Sequence, residues 1–83
     1  MDEARIKKSM LLNISRQIKL LRKRSSLTQV DFAKRVGVGL RFIRELESAK
    51  TTVRMDKVMQ VLDFLGCHLE VKKNETTGKA AEE

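Results

Sequence analysis

Between Gly39 and Lys50 the chain carries two guanidinium groups (Arg41 and Arg44), a carboxylate (Glu45), a hydroxyl (Ser48) and an ammonium (Lys50). Projected at 3.6 residues per turn, Arg41, Arg44, Glu45 and Ser48 share one side of a helix, while Ile43 and Leu46 take the other. Such a face donates and accepts hydrogen bonds at fixed spacing, which is the chemistry of recognising a polar, anionic surface. Bond-making chemistry is not indicated. There is one His and one Cys, no Gly-rich phosphate loop, and the carboxylates are scattered along helix surfaces, so no acid–base pair or activated nucleophile is assembled. Cys67 and His68 are adjacent, and in extended chain they point to opposite faces, so one chain cannot chelate a metal through both. No enzyme, metal or cofactor is expected.

A helix as short as this one is not stable alone, so its neighbours must hold it. Upstream, Thr28 is a suitable N-cap, Asp31 stands three residues on at the capping-box position, and Leu27 and Phe32 fall at the two staple positions. Val30, Ala33 and Val36 recur at helical spacing, and the small Ala33 lets a second helix cross closely. Gly37 accepts the left-handed backbone of a helix end, Val38 is apolar enough to plug the core, and the next helix begins near Gly39. Two short helices joined by a Gly-centred turn, from Leu27 to Glu47, are the plan of a helix-turn-helix that offers its second helix to DNA. The same charges would also suit an ordinary solvated face of a small bundle. The turn chemistry and the apolar register favour the former.

At 83 residues the chain forms one domain at most, and such a domain buries only about 60% of its unfolded surface, so self-association would help it. It is 41% hydrophobic but 4% aromatic, with no Trp, Tyr or Pro. That suits a helical bundle and argues against an aromatic platform for single strands. Lys and Arg number 18 against 11 acids, and residues 1–73 carry 17 against 8, so an anionic partner is implied. One Cys gives no disulfide framework, and neither a secretory signal nor a membrane-spanning run is evident. The expected location is the cytoplasm.

Residues 1–10 lack a clear period and are expected to be a flexible start, with Ser9 a candidate cap. From about Leu11 to Arg24, Leu11, Ile14, Ile18 and Leu21 repeat at spacings of three and four, an amphipathic helix whose other side carries Arg16, Lys19 and Lys23, with Arg22 and Arg24 nearby. In isolation this basic helix would equally suit an anionic membrane or a calmodulin-like partner. Ser25 and Ser26 lead directly into Thr28, which places it against the helix-turn-helix, its Lys19 and Lys23 beside phosphates. Ser48, Ala49, Lys50, Thr51 and Thr52 make a polar connection, and Lys50 is a candidate phosphate contact. From about Arg54 to Leu65 a fourth helix carries Met55, Val58, Met59, Val61, Leu62, Phe64 and Leu65, a stripe wider than one packed face requires. Either a second copy covers the excess or a small core surrounds the helix. After Gly66 the period becomes 2, with Cys67, Leu69 and Val71 alternating against His68, Glu70 and Lys72, which predicts a short strand over 67–73. A lone strand has unpaired edges, so its natural mate is the same strand of another subunit, with an irregular tail as the alternative. Residues 74–83 are expected to be disordered.

The segment LTQVDFAKRVGVGLRFIRELESAK resembles the Xre/Cro-type helix-turn-helix of phage repressors and bacterial regulators, with the Thr-Gln opening, Ala33, Gly37, Ile43 and Leu46 in register. The resemblance spans about Ile14 to Leu65 and implies a lambda-repressor-like helical domain (residues 11–66) that binds DNA as a dimer. The ending KVMQVLDFLGCHLEV resembles the HipB-type antitoxins, whose C-terminal strand pairs across the dimer and which repress their own operon while restraining a HipA-like kinase toxin. The implied fold is all-α with one short C-terminal strand, and Met59, Leu62, Phe64, Cys67, Leu69 and Val71 are the implied dimer surface. The implied partner is double-stranded DNA with an inverted repeat, bound at the bacterial nucleoid.

Carried over by position, Gly39, Leu40, Arg41, Arg44 and Glu45 meet the major groove. Arg41 would bond a guanine bidentately, Glu45 would accept from cytosine or orient an arginine, and Leu40 would touch a thymine methyl. Thr28, Gln29, Lys19, Lys23, Ser48 and Lys50 are the expected phosphate contacts, Gln29 on the strength of the family position. Phe42 projects beside Leu46 and is expected to pack. Two residues depart from the family pattern: Gly39 replaces a usual capping Ser or Thr, and Ala49 replaces a usual Gly. A stand-alone regulator without a toxin, and a kinase-inhibiting module with secondary DNA binding, remain as alternatives.

Overall fold

The computed structural model describes residues 3–50 and 52–72, with backbone alone for 3–9. Four helices follow in order: α1 (Glu3–Arg24), α2 (Gln29–Val36), α3 (Leu40–Glu47) and α4 (Met55–Phe64). Met1 and Asp2 of the start expected to be flexible, Thr51, Lys73 and the tail 74–83, each given an expectation from sequence, lie outside the described residues.

Helix α1 begins at Glu3, well before the Leu11 that the apolar period predicts, so Ser9 is inside it and is not its cap. The apolar repeat marks where the helix touches the core, not where it starts. Ile18 is fully buried, with Ile14 packed beside it. The helix ends where Ser26 takes a left-handed backbone at φ 57°. Its last turn is closed by the Ser25 N–H donating to the Leu21 carbonyl and the Leu27 N–H donating to the Arg22 carbonyl.

Helix α2 starts as its sequence dictates: Thr28 is extended, and its hydroxyl oxygen accepts from the Asp31 N–H at 3.1 Å. It stops at Gly37, whose φ of 88° is left-handed. The N–H groups of Gly37 and Val38 both donate to the Ala33 carbonyl, and Val38 packs on the core. The buried face is Phe32, Ala33 and Val36; Val30, expected there, is 41% exposed. At 3.6 residues per turn Val30 lies roughly 110° from the centre of that face.

The core gathers Ile18, Phe32, Ala33, Val36, Ile43, Leu46, Val58, Val61 and Leu62. Burying each large side chain contributes about 1.5–3 kcal/mol, most of which the ordering of the chain offsets. Phe32 and Phe64 meet edge to face at 5.9 Å, and Gln60 of α4 donates to the last carbonyl of α2, that of Val36, at 2.8 Å.

The wide stripe of α4 divides. Val58, Val61 and Leu62 are buried in the chain's own core, whereas Met55, Met59 and Phe64 are exposed. Leu62, at 8% exposure, is therefore a core residue and not dimer surface; Cys67 likewise packs against the core, and its N–H donates to the Leu62 carbonyl at 2.8 Å. Among the described residues there is no strand: Cys67 to Lys72 carries no regular structure, which corrects the strand predicted over 67–73. A strand is defined by the ladder it makes with a neighbour, and the described residues of one chain offer none. Leu69 and Val71 are left exposed.

Candidate nucleic-acid interface

Helix α3 owes its position to α1 and α2. Ile43 and Leu46 are fully buried, and the hydroxyl of buried Ser15 on α1 donates to the Leu46 carbonyl. A second tie is ionic. Arg22 Nε donates to Glu47 Oε2 at 2.7 Å and Arg22 Nη2 to Oε1 at 3.0 Å, with the two side chains only 9% and 3% exposed. Arg22 Nη1 donates to the Leu27 carbonyl at 2.7 Å, and Gln29 Nε2 donates to Glu47 Oε1 at 3.2 Å. One planar fork thus joins the end of α1, the turn before α2 and the end of α3, the bidentate geometry for which Arg is suited.

This pair overturns one expectation and alters another. Arg22, counted with the basic face of α1, is buried and internally paired. Gln29, expected at phosphate, spends an amide hydrogen on Glu47. Among the described side chains of α1 the exposed cations are Arg16, Lys19, Lys23 and Arg24. Thr28 is also exposed; its oxygen is occupied by the cap, but its hydroxyl hydrogen is free to donate.

On α3 the side away from the core carries Arg41, Arg44 and Ser48, all exposed, and Glu45, half-buried. Arg41 is 89% exposed along its side chain, yet its Nε donates to Glu45 Oε1 at 3.1 Å. Lys50 Nζ donates to the same oxygen, also at 3.1 Å. With Lys50 first and Arg41 second, these donors hold the Glu45 carboxyl below its ordinary range. Lys50, expected at phosphate, is thus brought to Glu45. The turn explains how: Ala49 is left-handed at φ 60°, its N–H donates to the Leu46 carbonyl, and the Lys50 N–H folds back to the Glu45 carbonyl at 3.1 Å. Ser48 Oγ donates to the Glu45 carbonyl at 3.0 Å. Leu40 and Phe42 pack on the core in part, which ties Leu40 to packing as well as to the outer face.

Gly39 caps α3 with an extended backbone and no side-chain bond, and a Cβ there would meet nothing within 4 Å. The first N–H groups of α3 have no partner within the helix. Beside them, a cleft of about 330 Å³ is lined by Gly39, Arg41, Phe42, Glu45, Val53, Arg54 and Lys57 among others. Arg54 and Lys57 are not singled out by sequence reasoning, although two cations one turn apart at a helix start are a readable signal. Arg54 pairs with Asp56 at 2.7 Å and thereby lowers the Asp56 carboxyl below its ordinary range. Lys57 Nζ lies 5.7 Å from the centre of the Phe42 ring, a cation–π contact between α3 and α4.

Among the described residues no helix is long and apolar enough to cross a membrane, and no cluster of His, Cys, Asp or Glu is placed to hold a metal ion.

The helix-turn-helix family matches residues 18–72, from the middle of α1 to the segment after α4. The chain is 42% identical over 59 residues to y4mF of Sinorhizobium fredii, named as an uncharacterized HTH-type transcriptional regulator; the match covers 71% of this chain and 78% of that protein. No solved structure matches.

Proposed function

The chain belongs to the helix-turn-helix family, and on that premise we propose that it regulates transcription by binding double-stranded DNA at specific sequences, with α3 in the major groove. The observation that carries this reading is the division of α3: Ile43 and Leu46 are buried and braced from α1, while Arg41, Arg44 and Ser48 are exposed on the opposite side. A short helix held rigid from behind, with cations in front, is the geometry by which this motif reads base edges. Arg41 is the residue assigned to a guanine. Lys19, Lys23 and Thr28 are assigned to the sugar–phosphate backbone, where they fix orientation and carry no sequence information.

The test compares two variants on a duplex selected from a randomised pool. Arg41→Ala should cost about 1–3 kcal/mol and relax preference at one base pair, while Lys19→Ala should weaken all duplexes alike and flatten the salt slope by about one. Equal losses on selected and random duplexes for Arg41→Ala would count against the assignment.

Two finer proposals rest on this one. The first is a homodimer on an inverted repeat, supported by Met55, Met59, Phe64, Leu69 and Val71, apolar and exposed on α4 and the segment after it. The second is repression of its own operon as an antitoxin that also restrains a HipA-like kinase, which rests on the resemblance of the sequence ending alone. A stand-alone regulator fits the same fold equally well. Co-purification of a kinase with the tagged protein from its own cells would select the antitoxin, and occupancy of the DNA upstream of its own gene would select an autorepressor.

A further inference from the structure

We propose that Glu45 and Lys50 are a positioning pair for Arg41, and that Lys50 serves this pair and not a phosphate; the proposal rests on the reading of α3 as the helix that enters the groove. A guanidinium has five N–H donors in a fixed fork. Glu45 Oε1 takes the one on Arg41 Nε, which leaves the two Nη groups as the free edge of the fork. That end-on edge can meet O6 and N7 of a guanine together. With Nε held, the competing side-on approach through Nε and one Nη is closed, and rotation of the long side chain is limited.

A carboxylate on the outer face of α3 would meet the negative potential of the duplex, and it is repelled unless neutralised. Lys50 supplies the neutralisation. Its ammonium reaches the oxygen that Arg41 uses, at the same 3.1 Å, because the left-handed Ala49 turns the chain back over the end of α3. The three side chains together carry one net positive charge, and it resides on the fork that faces outward. Arg44, the other exposed cation of this face, has no such carboxylate partner among the described ion pairs. The structure thus assigns Arg41 the role that needs a fixed direction.

The test measures binding of wild type, Lys50→Met, Glu45→Gln and the double variant to a duplex selected by the wild-type protein, and to that duplex changed at each base pair in turn. Circular dichroism confirms the fold of each. Positioning predicts that Lys50→Met and Glu45→Gln each lower discrimination at the one base pair that Arg41→Ala also affects. The loss should be about two- to fivefold, the range of an exposed ion pair, and the double variant should lose no more than the worse single one. Lys50→Arg should restore it. A uniform loss on every duplex for Lys50→Met, with the salt slope lowered by about one and no coupling to Glu45→Gln, would overturn the pair and return Lys50 to a phosphate. Failure of the wild-type protein to prefer any duplex would instead remove the reading of α3, and the pair with it.

Discussion

The Arg22–Glu47 fork makes a demanding prediction, because it is buried and every donor that it uses has a named acceptor. Removing one partner strands a charge: Glu47→Leu leaves the Arg22 guanidinium with only the Leu27 carbonyl, and Arg22→Met leaves the Glu47 carboxylate with only the Gln29 amide. Breaking a buried pair in this way costs about 3–5 kcal/mol. For an 83-residue chain whose whole stability is roughly 4–12 kcal/mol, that is a large share. Each single variant should lower the midpoint of thermal unfolding by at least about 12 °C, at about 4–8 °C per kcal/mol for a domain this size. The double variant, Arg22→Met with Glu47→Leu, removes both charges and leaves unsatisfied only the Leu27 carbonyl and the Gln29 amide, each half-buried. It should cost about 1–3 kcal/mol, less than either single change. Urea unfolding followed at 222 nm measures all four proteins. Additivity of the two single losses within about 0.5 kcal/mol would refute the claim that these groups act as one unit.

Ala49→Gly should change stability by no more than about 1 kcal/mol: relief of the left-handed backbone, about 1–2 kcal/mol, is offset by the buried methyl and by the freedom of glycine in the unfolded chain. A loss above 2 kcal/mol in urea unfolding would contradict this. Gly39→Ser places a capping hydroxyl where there is open space and should stabilise by a few tenths of a kcal/mol; it should also tighten binding to all duplexes alike, and a measurable destabilisation would show the space to be misjudged. Leu69→Asp with Val71→Asp alters two exposed side chains and should leave helicity unchanged while weakening the proposed homodimer. An unchanged mass by sedimentation at low micromolar concentration would remove this segment from the interface.

The helix-turn-helix was legible because its signals are local. Thr28, Gly37 and Val38 act on backbone groups within five residues of themselves, and each does in the structure what its chemistry demands. The Arg22–Glu47 pair was not legible, because its members lie 25 residues apart and Arg22 is hidden within a run of cations. Burial selected one of five similar side chains, and only packing decides which. Leu62 and Met59 belong to the same apolar stripe in sequence, yet one is buried and one exposed; the stripe is read at 3.6 residues per turn, but how much of it one small core can cover is a tertiary matter. The alternation after Gly66 is present in the residues, but alternation alone cannot make a ladder without a partner. The sequence points Lys50 to a phosphate for a related reason: the left-handed Ala49 that carries it to Glu45 is a conformation that Ala seldom announces.

The most direct test of sequence-specific binding is anisotropy of the wild-type protein on a duplex selected from a randomised pool, against a scrambled duplex of equal length, at two salt concentrations. A preference on the order of a thousandfold that persists at the higher salt is the predicted result. Equal binding to both duplexes, falling steeply with salt, would leave only the attraction of a basic surface for phosphate and would contradict a reading helix.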